Sequence, residues 1–245
     1  MYVLINDIRP LTDFIDLVYD STKNIKLIFD DNGLRINLLN DGHITFYGAE
    51  YSKSFFDDYQ VTDPIELLFD SKDIQQILKS SKNNEDLMME WDNESTVKFI
   101  FESDTNRRVF EVGLIDELYD APVPPSIDYD YSFLMEWENL KQCCNDLGIS
   151  GTDRFIISLN NDGIFVNSPS SSMTQYNNRV SEESFDKSVR SIVNTNYIGG
   201  LDKLKKHGDL ILSVGDNIPV SWSIEDRLGE FKYSGLIAPI FEEDD

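Results

Sequence analysis

The sequence predicts an α+β protein made of two similar domains, each mostly antiparallel sheet with two short helices. Between residues 8 and 245 the same order of helix, hairpin, long β region, helix and hairpin runs twice. Asn32-Gly33 and Asp162-Gly163 supply strong hairpin signals at matching places in the two copies. A proline-rich stretch separates the copies. These observations indicate two domains of one architecture.

The first helix of each half is predicted from apolar residues at helical spacing. In Ile8–Thr22 these residues are Ile8, Leu11, Phe14, Ile15 and Val18. In Glu136–Leu147 they are Leu140, Cys143, Cys144 and Leu147. A strand, a turn and a second strand follow each helix: IKLIF, DNG and LRINLL in the first half, RFIISL, NDG and IFVNS in the second.

The later part of each half repeats more closely. The stretches DIQQILKSSKNNEDLMMEWDNESTVKFIFES and NYIGGLDKLKKHGDLILSVGDNIPVSWSIED each predict a short helix, a strand, a DN turn and a strand. The helices span Ser71–Lys82 and Thr195–His207, and the turns are Asp92-Asn93 and Asp216-Asn217, 124 residues apart. The apolar faces of these helices hold Ile74, Ile77 and Leu78, and Ile198, Leu201 and Leu204. Chance similarity is the alternative, and the shared order of elements argues against it.

The stretch between the halves predicts an extended linker. IDELYDAPVPPSIDYDY holds Pro122, Pro124 and Pro125 within four residues, and these prolines block both a helix and a central strand. We therefore expect an N-terminal domain over residues 1–115, a connecting loop over residues 116–130 and a C-terminal domain over residues 131–245.

The composition fits a folded protein with a real core, since 40% of the 245 residues are hydrophobic and 12% aromatic. No segment approaches the roughly 18 apolar residues that a membrane span requires, and MYVLINDIRP lacks the pattern of a signal peptide. The two cysteines, Cys143 and Cys144, are adjacent and cannot form an ordinary structural bridge. We expect a soluble intracellular protein without a disulfide framework.

The charge of the chain is distributed unevenly. The net charge is −24, from 45 acidic and 21 basic residues, which by itself argues against nucleic acid as a partner. The four predicted helices, however, hold eight residues of each sign, so the whole negative excess falls on the rest of the chain. This layout suits helices that face a polyanion. The alternative is that lysine simply favours solvated helix faces.

No catalytic constellation is evident in the sequence. His43 and His207 are the two histidines, and the adjacent cysteines give neither a CxxC metal spacing nor a plausible Cys–His pair. GxxxxGK(S/T) and GxGxxG loops are absent from the sequence. Adjacent acids such as Asp30-Asp31 and Asp57-Asp58 could hold a divalent cation, but so many acids produce such pairs by chance. We expect no catalytic residue, no metal and no cofactor.

Three stretches carry a resemblance to a known family. They are the ending LIAPI before the acids, NEDL after the second helix, and LKQCCNDLGISGTDRFIIS. With the doubled pattern and the proline-bearing connector, they make the chain similar to the DNA polymerase sliding clamp family, proliferating cell nuclear antigen, over nearly its whole length. The length is close to that of the archaeal members. An unrelated acidic repeat protein is the alternative.

The resemblance implies a non-catalytic ring of three chains, a homotrimer with the DNA clamp fold, whose helices line the hole. Such a ring encircles duplex DNA without sequence preference and slides along it as a processivity factor in replication and repair. It implies partners that bind through short docking motifs, namely DNA polymerase, clamp loader, nuclease and ligase, and no membrane partner. The expected location is cytoplasmic in an archaeal host and nuclear in a eukaryotic one.

The resemblance places DNA contacts on the helix faces. The expected residues are Lys72, Lys79, Lys82, Lys203, Lys205 and Lys206, with Arg9, Lys23 and Lys141 as weaker candidates. The first and third helices depart from the family pattern because they carry acids: Asp13, Asp16, Asp20, Glu136, Glu138 and Asp146. We therefore expect weak contact, mediated by water or cations or limited to the second and fourth helices.

The resemblance also predicts a groove for partner proteins. Its residues are Leu39, His43, Ile44, Val123, Ile127, Pro219, Leu236, Ala238, Pro239 and Ile240. Apolar side chains of this kind form pockets for a partner's anchors, and an exposed extended segment offers backbone groups for pairing. The acids 242–245 after this segment are expected to keep it soluble.

Ring closure is expected through two edge strands, because an unpaired edge invites pairing with another chain. The candidates are Arg107–Leu114 and Ser172–Val180, joined head to tail between copies. The alternative is that both are ordinary internal strands of a monomer. A further alternative is one subunit of a heterotrimeric ring.

Three other hypotheses remain open from the sequence. An acidic interaction module or DNA mimic would not encircle DNA, and would occupy the basic cleft of a DNA enzyme instead. A metal-dependent hydrolase would use a cluster of aspartates. The excess of acids could also be an adaptation to high salt.

Overall fold

The computed structural model describes residues 1–91 and 95–241. The expected turn at Asp92-Asn93 and the acidic tail 242–245 lie outside the described residues. The chain divides into two compact units. Unit 1 comprises Met1–Val123 with Glu225–Tyr233, and unit 2 comprises Pro124–Ile224 with Ser234–Asp245.

The described residues contain four α-helices at the predicted places. They are α1 (Arg9–Val18), α2 (Ser71–Lys79), α3 (Trp137–Ile149) and α4 (Thr195–Gly200). Single 3-10 turns span Lys53–Phe55 and Leu201–Leu204. The four predicted helices are confirmed, and their predicted apolar faces are buried except at Ile77 and Cys144, which are half-buried.

The fourth helix is shorter than predicted. It ends at Gly200, and Leu201–Leu204 continue as a 3-10 turn, so Lys205 and Lys206 lie beyond any helix. Two consecutive glycines weaken an α-helix, because glycine loses more backbone freedom on folding than other residues. Ile198, Leu201 and Leu204 are nevertheless fully buried, since a 3-10 turn keeps residues three apart on one face.

Strands are the predominant regular structure in the described part of the chain. Unit 1 contains β1 (Tyr2–Ile5), β2 (Asn24–Asp30), β3 (Gly33–Leu39), β4 (Thr45–Ser52), β5 (Asp58–Gln60), β6 (Ile65–Asp70), β7 (Asp86–Glu90), β8 (Thr96–Ser103) and β9 (Asn106–Gly113). Unit 2 contains β10 (Tyr131–Met135), β11 (Arg154–Asn160), β12 (Gly163–Asn167), β13 (Asn177–Ser181), β14 (Val189–Asn194), β15 (Asp209–Val214) and β16 (Val220–Glu225, whose last residue belongs to unit 1). The last strand, β17 (Phe231–Ile237), contributes Phe231–Tyr233 to unit 1 and its remainder to unit 2.

Each unit has two antiparallel layers. In unit 1 the strand order is β5-β1-β7-β8-β9 in one sheet, and β4-β3-β2-β6 beside the unit 1 part of β17 in the other. In unit 2 the orders are β13-β12-β11-β14 and β10-β15-β16 beside the unit 2 part of β17. The residues 114–130 that link the units contain no helix or strand.

Both strands predicted as sheet edges lie at an edge within the described part of the chain. β9 ends the five-stranded sheet and β13 ends the four-stranded sheet. β13 begins at Asn177, later than expected, because the preceding residues form a loop. The Ser168 amide donates to the Tyr176 carbonyl at 3.0 Å, and the Ser168 hydroxyl accepts from the Tyr176 amide at 2.8 Å. This pairing closes the loop before the strand starts.

Two glycines in equivalent hairpins have a positive φ, which residues with a side chain rarely adopt. Gly33 opens β3 with φ of 133°, and Gly163 opens β12 with φ of 138°. A Cβ atom at Gly33 would lie 2.0 Å from the Tyr51 carbonyl oxygen, and one at Gly163 would lie 2.3 Å from that of Ser181. The hairpin signals therefore correspond to a positive φ and to close backbone contact.

An aromatic cluster holds α1 against the sheet of unit 1. The Phe14 and Tyr233 rings stack with centroids 5.4 Å apart, and Tyr51 lies edge-on to Tyr233. The hydroxyls of Tyr233 and Tyr51 both donate to the Pro10 carbonyl, at 2.9 and 3.3 Å. Burial raises the pKa of both tyrosines well above the usual value. Burying each large side chain contributes about 1.5–3 kcal/mol, so the cluster fixes α1 firmly.

Candidate nucleic-acid interface and docking surface

The lysines of unit 1 lie on the exposed face of α2. Asp70 begins the helix, because its carboxylate accepts from the amides of Lys72 and Asp73 at 2.9 and 3.4 Å. Ile74 and Leu78 are buried, and α2 packs beside α1. This orientation leaves Lys72 and Lys79 exposed, and Lys82 is exposed just after the helix.

One of these lysines already has a carboxylate partner. Lys79 Nζ lies 2.6 Å from Asp16 Oδ1 on α1, and Gln75 donates to the same oxygen at 2.8 Å. The hydrogen bond that Lys79 donates to the Asp16 carboxylate raises the pKa of Lys79. Lys72 and Lys82 form no ion pair with any described residue, so their charges are the more available ones for a phosphate.

Arg9 is also paired within unit 1. Its Nε and Nη2 atoms reach the Asp7 carboxylate at 2.7 and 2.6 Å, in the two-pronged geometry that arginine favours. Asp7 raises the pKa of Arg9. The side chain is 77% exposed, so this pair is accessible to water and to competing anions.

The lysines of unit 2 lie on the turn after α4. Asn194 caps α4, and Gly199 lies close to α3, where an added Cβ would be 3.3 Å from Cys144 Sγ. Lys203, Lys205 and Lys206 are exposed. Lys205 pairs with Asp202 at 3.1 Å. Lys206, and Lys141 on α3, are exposed and form no ion pair within the described ranges.

All nine predicted DNA-binding cations, Lys23 included, are therefore exposed, and at least three of them, Arg9, Lys79 and Lys205, form an ion pair with an aspartate of their own unit. The acids of α1 and α3 are exposed or half-buried as well. Exposed ion pairs are weak, so they lower the local positive potential without blocking contact with phosphate. The arrangement fits shallow, salt-sensitive binding of a polyanion.

A well-fixed loop presents the first predicted groove residues in unit 1. Asn40 is buried, and its Oδ1 atom accepts from the amides of Ile44 and Thr45 at 2.7 and 2.9 Å. Its carbonyl accepts from the His43 amide at 2.8 Å. His43 has a positive φ of 56°, and both His43 and Ile44 are exposed, with Leu39 half-buried at the end of β3.

The connector residues of the predicted groove differ in exposure. Val123, in unit 1, is 86% exposed, and Ile127, in unit 2, is half-buried. An isolated exposed valine is common on a surface, but here it lies in an extended segment without helix or strand. Such a segment presents its side chains to solvent.

The C-terminal groove residues belong to unit 2. Leu236 is half-buried in β17, which ends at Ile237, and Pro219 is half-buried before β16. Ala238, Pro239 and Ile240 follow β17 and are also half-buried. The Ile240 amide donates to the Ile192 carbonyl of β14 at 2.8 Å, which holds this segment after the proline ends the strand.

All ten predicted groove residues are thus at least partly exposed, four in unit 1 and six in unit 2. The sequence prediction missed the residues that position them. Asn40 precedes a DG pair, a turn signal that could have identified it. Lys26, which contacts the connector, sits in an ordinary strand pattern and gave no signal.

The described residues contain no group of three or more His, Cys, Asp or Glu side chains arranged to hold a metal ion. Burial raises the pKa of Cys143, and raises that of Cys144 to about 12, so neither thiol is poised to ionise at neutral pH. Within residues 1–91 and 95–241, none of the helices is long and apolar enough to cross a membrane.

Comparison with known proteins identifies the fold. The family model for the proliferating cell nuclear antigen N-terminal domain matches residues 8–120. A DNA polymerase sliding clamp of Methanothermobacter thermautotrophicus is 26% identical over 97% of both chains. One from Methanobrevibacter smithii is 25% identical over 98% of both chains.

Solved structures give the same result for the fold. Proliferating cell nuclear antigen from Thermococcus kodakaraensis superimposes with a TM-score of 0.88 at 15% identity, covering 98% of this chain and 99% of that chain. A chain of the PCNA2-PCNA3 complex from Sulfolobus tokodaii superimposes with a TM-score of 0.84 at 17% identity and the same coverage.

The doubled fold and these comparisons define the class of protein as a sliding clamp, a processivity factor of DNA replication. The family model, these relatives and the solved structures support a sliding clamp of the proliferating cell nuclear antigen family.

Proposed function

We propose that three copies of this chain close head to tail into a ring that encircles duplex DNA. The observation that carries the proposal is the doubled clamp fold, in which each unit exposes lysines on its second helix or on the turn that follows. Lysine contacts with phosphate carry no sequence information, which suits sliding. Because topology holds a closed ring on DNA, weak contact is sufficient.

The exposed sheet edges support ring closure. β9 and β13 leave unpaired backbone groups along an edge, and such edges pair with another chain. Beside β9 lies a cleft of about 650 Å³ lined by Ile77, Val109 and Phe110, and Val109 is 48% exposed. Pairing β9 of one copy with β13 of the next is a head-to-tail contact, which closes when the rotation allows. A ring of different chains is the variant, as PCNA2 and PCNA3 form a complex in Sulfolobus tokodaii.

Partner enzymes are proposed to dock on the exposed apolar residues of the Asn40–Thr45 loop, the connector and the segment after β17. A polymerase, a clamp loader, a nuclease and a ligase would each present a short motif with aromatic or aliphatic anchors. The protein itself performs no catalysis and needs no cofactor in this proposal. Its place of work is with the DNA, in the cytoplasm of an archaeal host or the nucleus of a eukaryotic one.

The first experiment measures the mass of the protein in solution at micromolar concentration. A mass approaching three chains, or a monomer–trimer equilibrium, is expected. A stable monomer that no partner or loader assembles contradicts the ring. Inhibition of a DNA enzyme by such a monomer, with the helix lysines dispensable, would support the DNA mimic instead.

The second experiment separates DNA contact from assembly. Reversing Lys72 and Lys206 to Glu should reduce stimulation of a polymerase while the trimer mass is unchanged, because both charges lack an ion pair within the described residues. Reversing Lys79 and Lys205 should act less, since an aspartate already neutralises part of each charge. Unchanged stimulation in the first variant contradicts the DNA-facing role.

The third experiment concerns docking. Ile44→Glu and Val123→Glu should abolish binding of a synthetic peptide with aromatic anchors and leave the trimer intact. Leu228→Glu is the matched control, because Leu228 is 80% exposed on a hairpin turn outside the predicted groove. Equal loss of binding in the control would show that added charge alone is responsible.

A further inference from the structure

A buried lysine lies under the start of the connector in unit 1. Lys26 is on β2 and is 8% exposed. The sequence around it reads as an ordinary strand and does not mark it as a functional residue. Its Nζ atom lies 2.5 Å from Glu66 Oε2 on the neighbouring strand β6. The same atom donates to the Tyr119 carbonyl and lies 5.6 Å from the centroid of the Tyr119 ring. One ammonium group thus binds the sheet to the connector, across 93 positions of sequence.

The connector has few other attachments nearby. Ile115 is held by its amide, which donates to the Leu68 carbonyl at 2.9 Å. Among the described residues, the bond from Lys26 to Tyr119 is the one hydrogen bond that involves residues 116–123. Leu118 and Val123 on either side are exposed by 106% and 86%. The Tyr119 contact is therefore the fixed point between Ile115 and Val123.

A buried ammonium makes this contact obligatory. Removing a charge from water is costly unless it is paired and hydrogen-bonded. Glu66 is 59% exposed and supplies one acceptor, so the Tyr119 carbonyl and ring supply the partners on the connector side. Displacing the connector would leave Lys26 incompletely satisfied, which favours the ordered position of the segment.

We propose that Lys26 is a positioning residue for partner docking, because it holds the connector at Tyr119 and so sets where Val123 is presented. This role rests on the proposed docking function. The apparent affinity of a partner that binds only the ordered connector is proportional to the fraction of molecules in which the connector is ordered. Lys26 itself touches no partner in this mechanism.

The test compares Lys26→Met with Lys53→Met. Lys53 is the control: it also lies near a carboxylate, Asp31 at 3.8 Å, and a tyrosine ring, Tyr59 at 5.5 Å, but its side chain is 49% exposed and it forms no ion pair or ring contact with the described connector residues. Amide hydrogen exchange over residues 116–123 is measured first. Binding of the synthetic peptide with aromatic anchors is then measured by titration.

Lys26→Met should raise exchange in residues 116–123 and weaken peptide binding about tenfold if the ordered fraction falls to about a tenth. Lys53→Met should change neither. Lys26→Arg should restore part of both, because the guanidinium keeps the charge and several donors. A merely structural role would lower thermal stability without changing exchange in this segment specifically.

Tyr119→Ala provides a second route if Lys26→Met fails to fold, because Tyr119 lies in a segment without helix or strand. It removes the ring and should raise exchange by a smaller amount. The role of Lys26 is overturned if the wild type binds the peptide and these variants change neither the amide exchange over residues 116–123 nor the affinity for the peptide. If the wild type fails to bind the peptide, the docking function is wrong and this role fails with it, whatever the exchange result.

Discussion

The helix pairs of the two units carry similar numbers of lysines but hold them differently. In unit 1, α2 is a nine-residue α-helix, and Lys79 pairs with Asp16 on the neighbouring helix α1. In unit 2, α4 has six residues before a 3-10 turn, and Lys205 pairs with Asp202 three positions earlier. One pair is made by helix packing and the other by local sequence.

The number of charged residues in a helix therefore does not give the charge that is available to a ligand. Each second helix region has three lysines and one aspartate in sequence. The aspartate of the α2 segment, Asp73, lies near the beginning of its helix, and it is Asp16 on another helix that neutralises Lys79. Lys72, Lys82 and Lys206 are left without an ion pair among the described residues.

The first prediction, which has the largest change in stability, concerns the hairpin glycines and tests whether the two units share hairpin geometry. Gly33→Ala and Gly163→Ala should each destabilise the protein by about 2–4 kcal/mol, because each adds a Cβ to a backbone at positive φ and within 2.3 Å of a carbonyl oxygen. Urea midpoints measure the loss. Similar losses would support equivalent hairpins.

Gly151→Ala is the control for this prediction. Gly151 also has a positive φ, of 70°, but an added Cβ would meet no atom of the described residues within 4 Å, apart from those of its chain neighbours. Its cost should be only about 1 kcal/mol, from backbone strain alone. Costs as large as those at Gly33 and Gly163 would mean that strain rather than the close contact matters.

The second prediction uses a buried ion pair of unit 1. Arg108 donates to the Glu85 carboxylate and to the Ser80 carbonyl, and the side chain of Glu85 is 1% exposed. The hydrogen bond from Arg108 lowers the pKa of Glu85 below its ordinary 4.5. The stabilisation of the fold by the Glu85–Arg108 pair is therefore complete above pH 4.5, and it is lost as the pH falls through the lowered pKa of Glu85.

Glu85→Gln should thus be clearly less stable than the wild type at neutral pH, and the gap should narrow as the pH falls below 4.5. Urea unfolding at several pH values measures the gap. The exposed pair of Lys187 and Asp130 in unit 2 provides the comparison, and Lys187→Gln should show a small difference at every pH. A gap for Glu85→Gln that does not change with pH would rule out the ion pair as its cause.

The third prediction concerns the pair between α1 and α2. Asp16→Asn should release Lys79 and steepen the salt dependence of binding to a DNA duplex by about one unit of the log–log slope. Lys206→Gln should reduce the slope by a similar amount. Equal slopes in the wild type and Asp16→Asn would mean that Lys79 does not face DNA.

The fourth prediction, which has the smallest change in stability, compares the ion pairs of Lys79 and Lys205. Lys79→Gln and Lys205→Gln should each cost less than about 1 kcal/mol, since both side chains are largely exposed. Lys79→Gln should cost more, because it breaks a contact between two helices. Thermal unfolding of both variants shows which one loses more stability. A larger loss of stability in Lys205→Gln would contradict this interpretation.

Sequence reasoning predicted the local architecture well, for local reasons. The burial of Leu11 and Ile15, and of Leu140 and Leu147, follows from apolar spacing within a few residues. Gly33 lies at the hairpin because a positive φ there excludes most other residues. The end of α4 and the start of β13 were misplaced, because the former depends on a switch to a 3-10 turn and the latter on a loop closed by Ser168.

The doubled α+β pattern, the apolar faces, the hairpins and the family resemblance can be read from the sequence alone, since each is encoded in neighbouring residues. The pairs between residues far apart in sequence, and the contact that holds the connector, become visible only in the folded chain. Gln75 meets Asp16 across 59 positions, and Lys26 meets Tyr119 across 93. Hydrogen bonds and ion pairs act over a few ångströms of space, and one sequence does not state which distant residues folding brings within that distance.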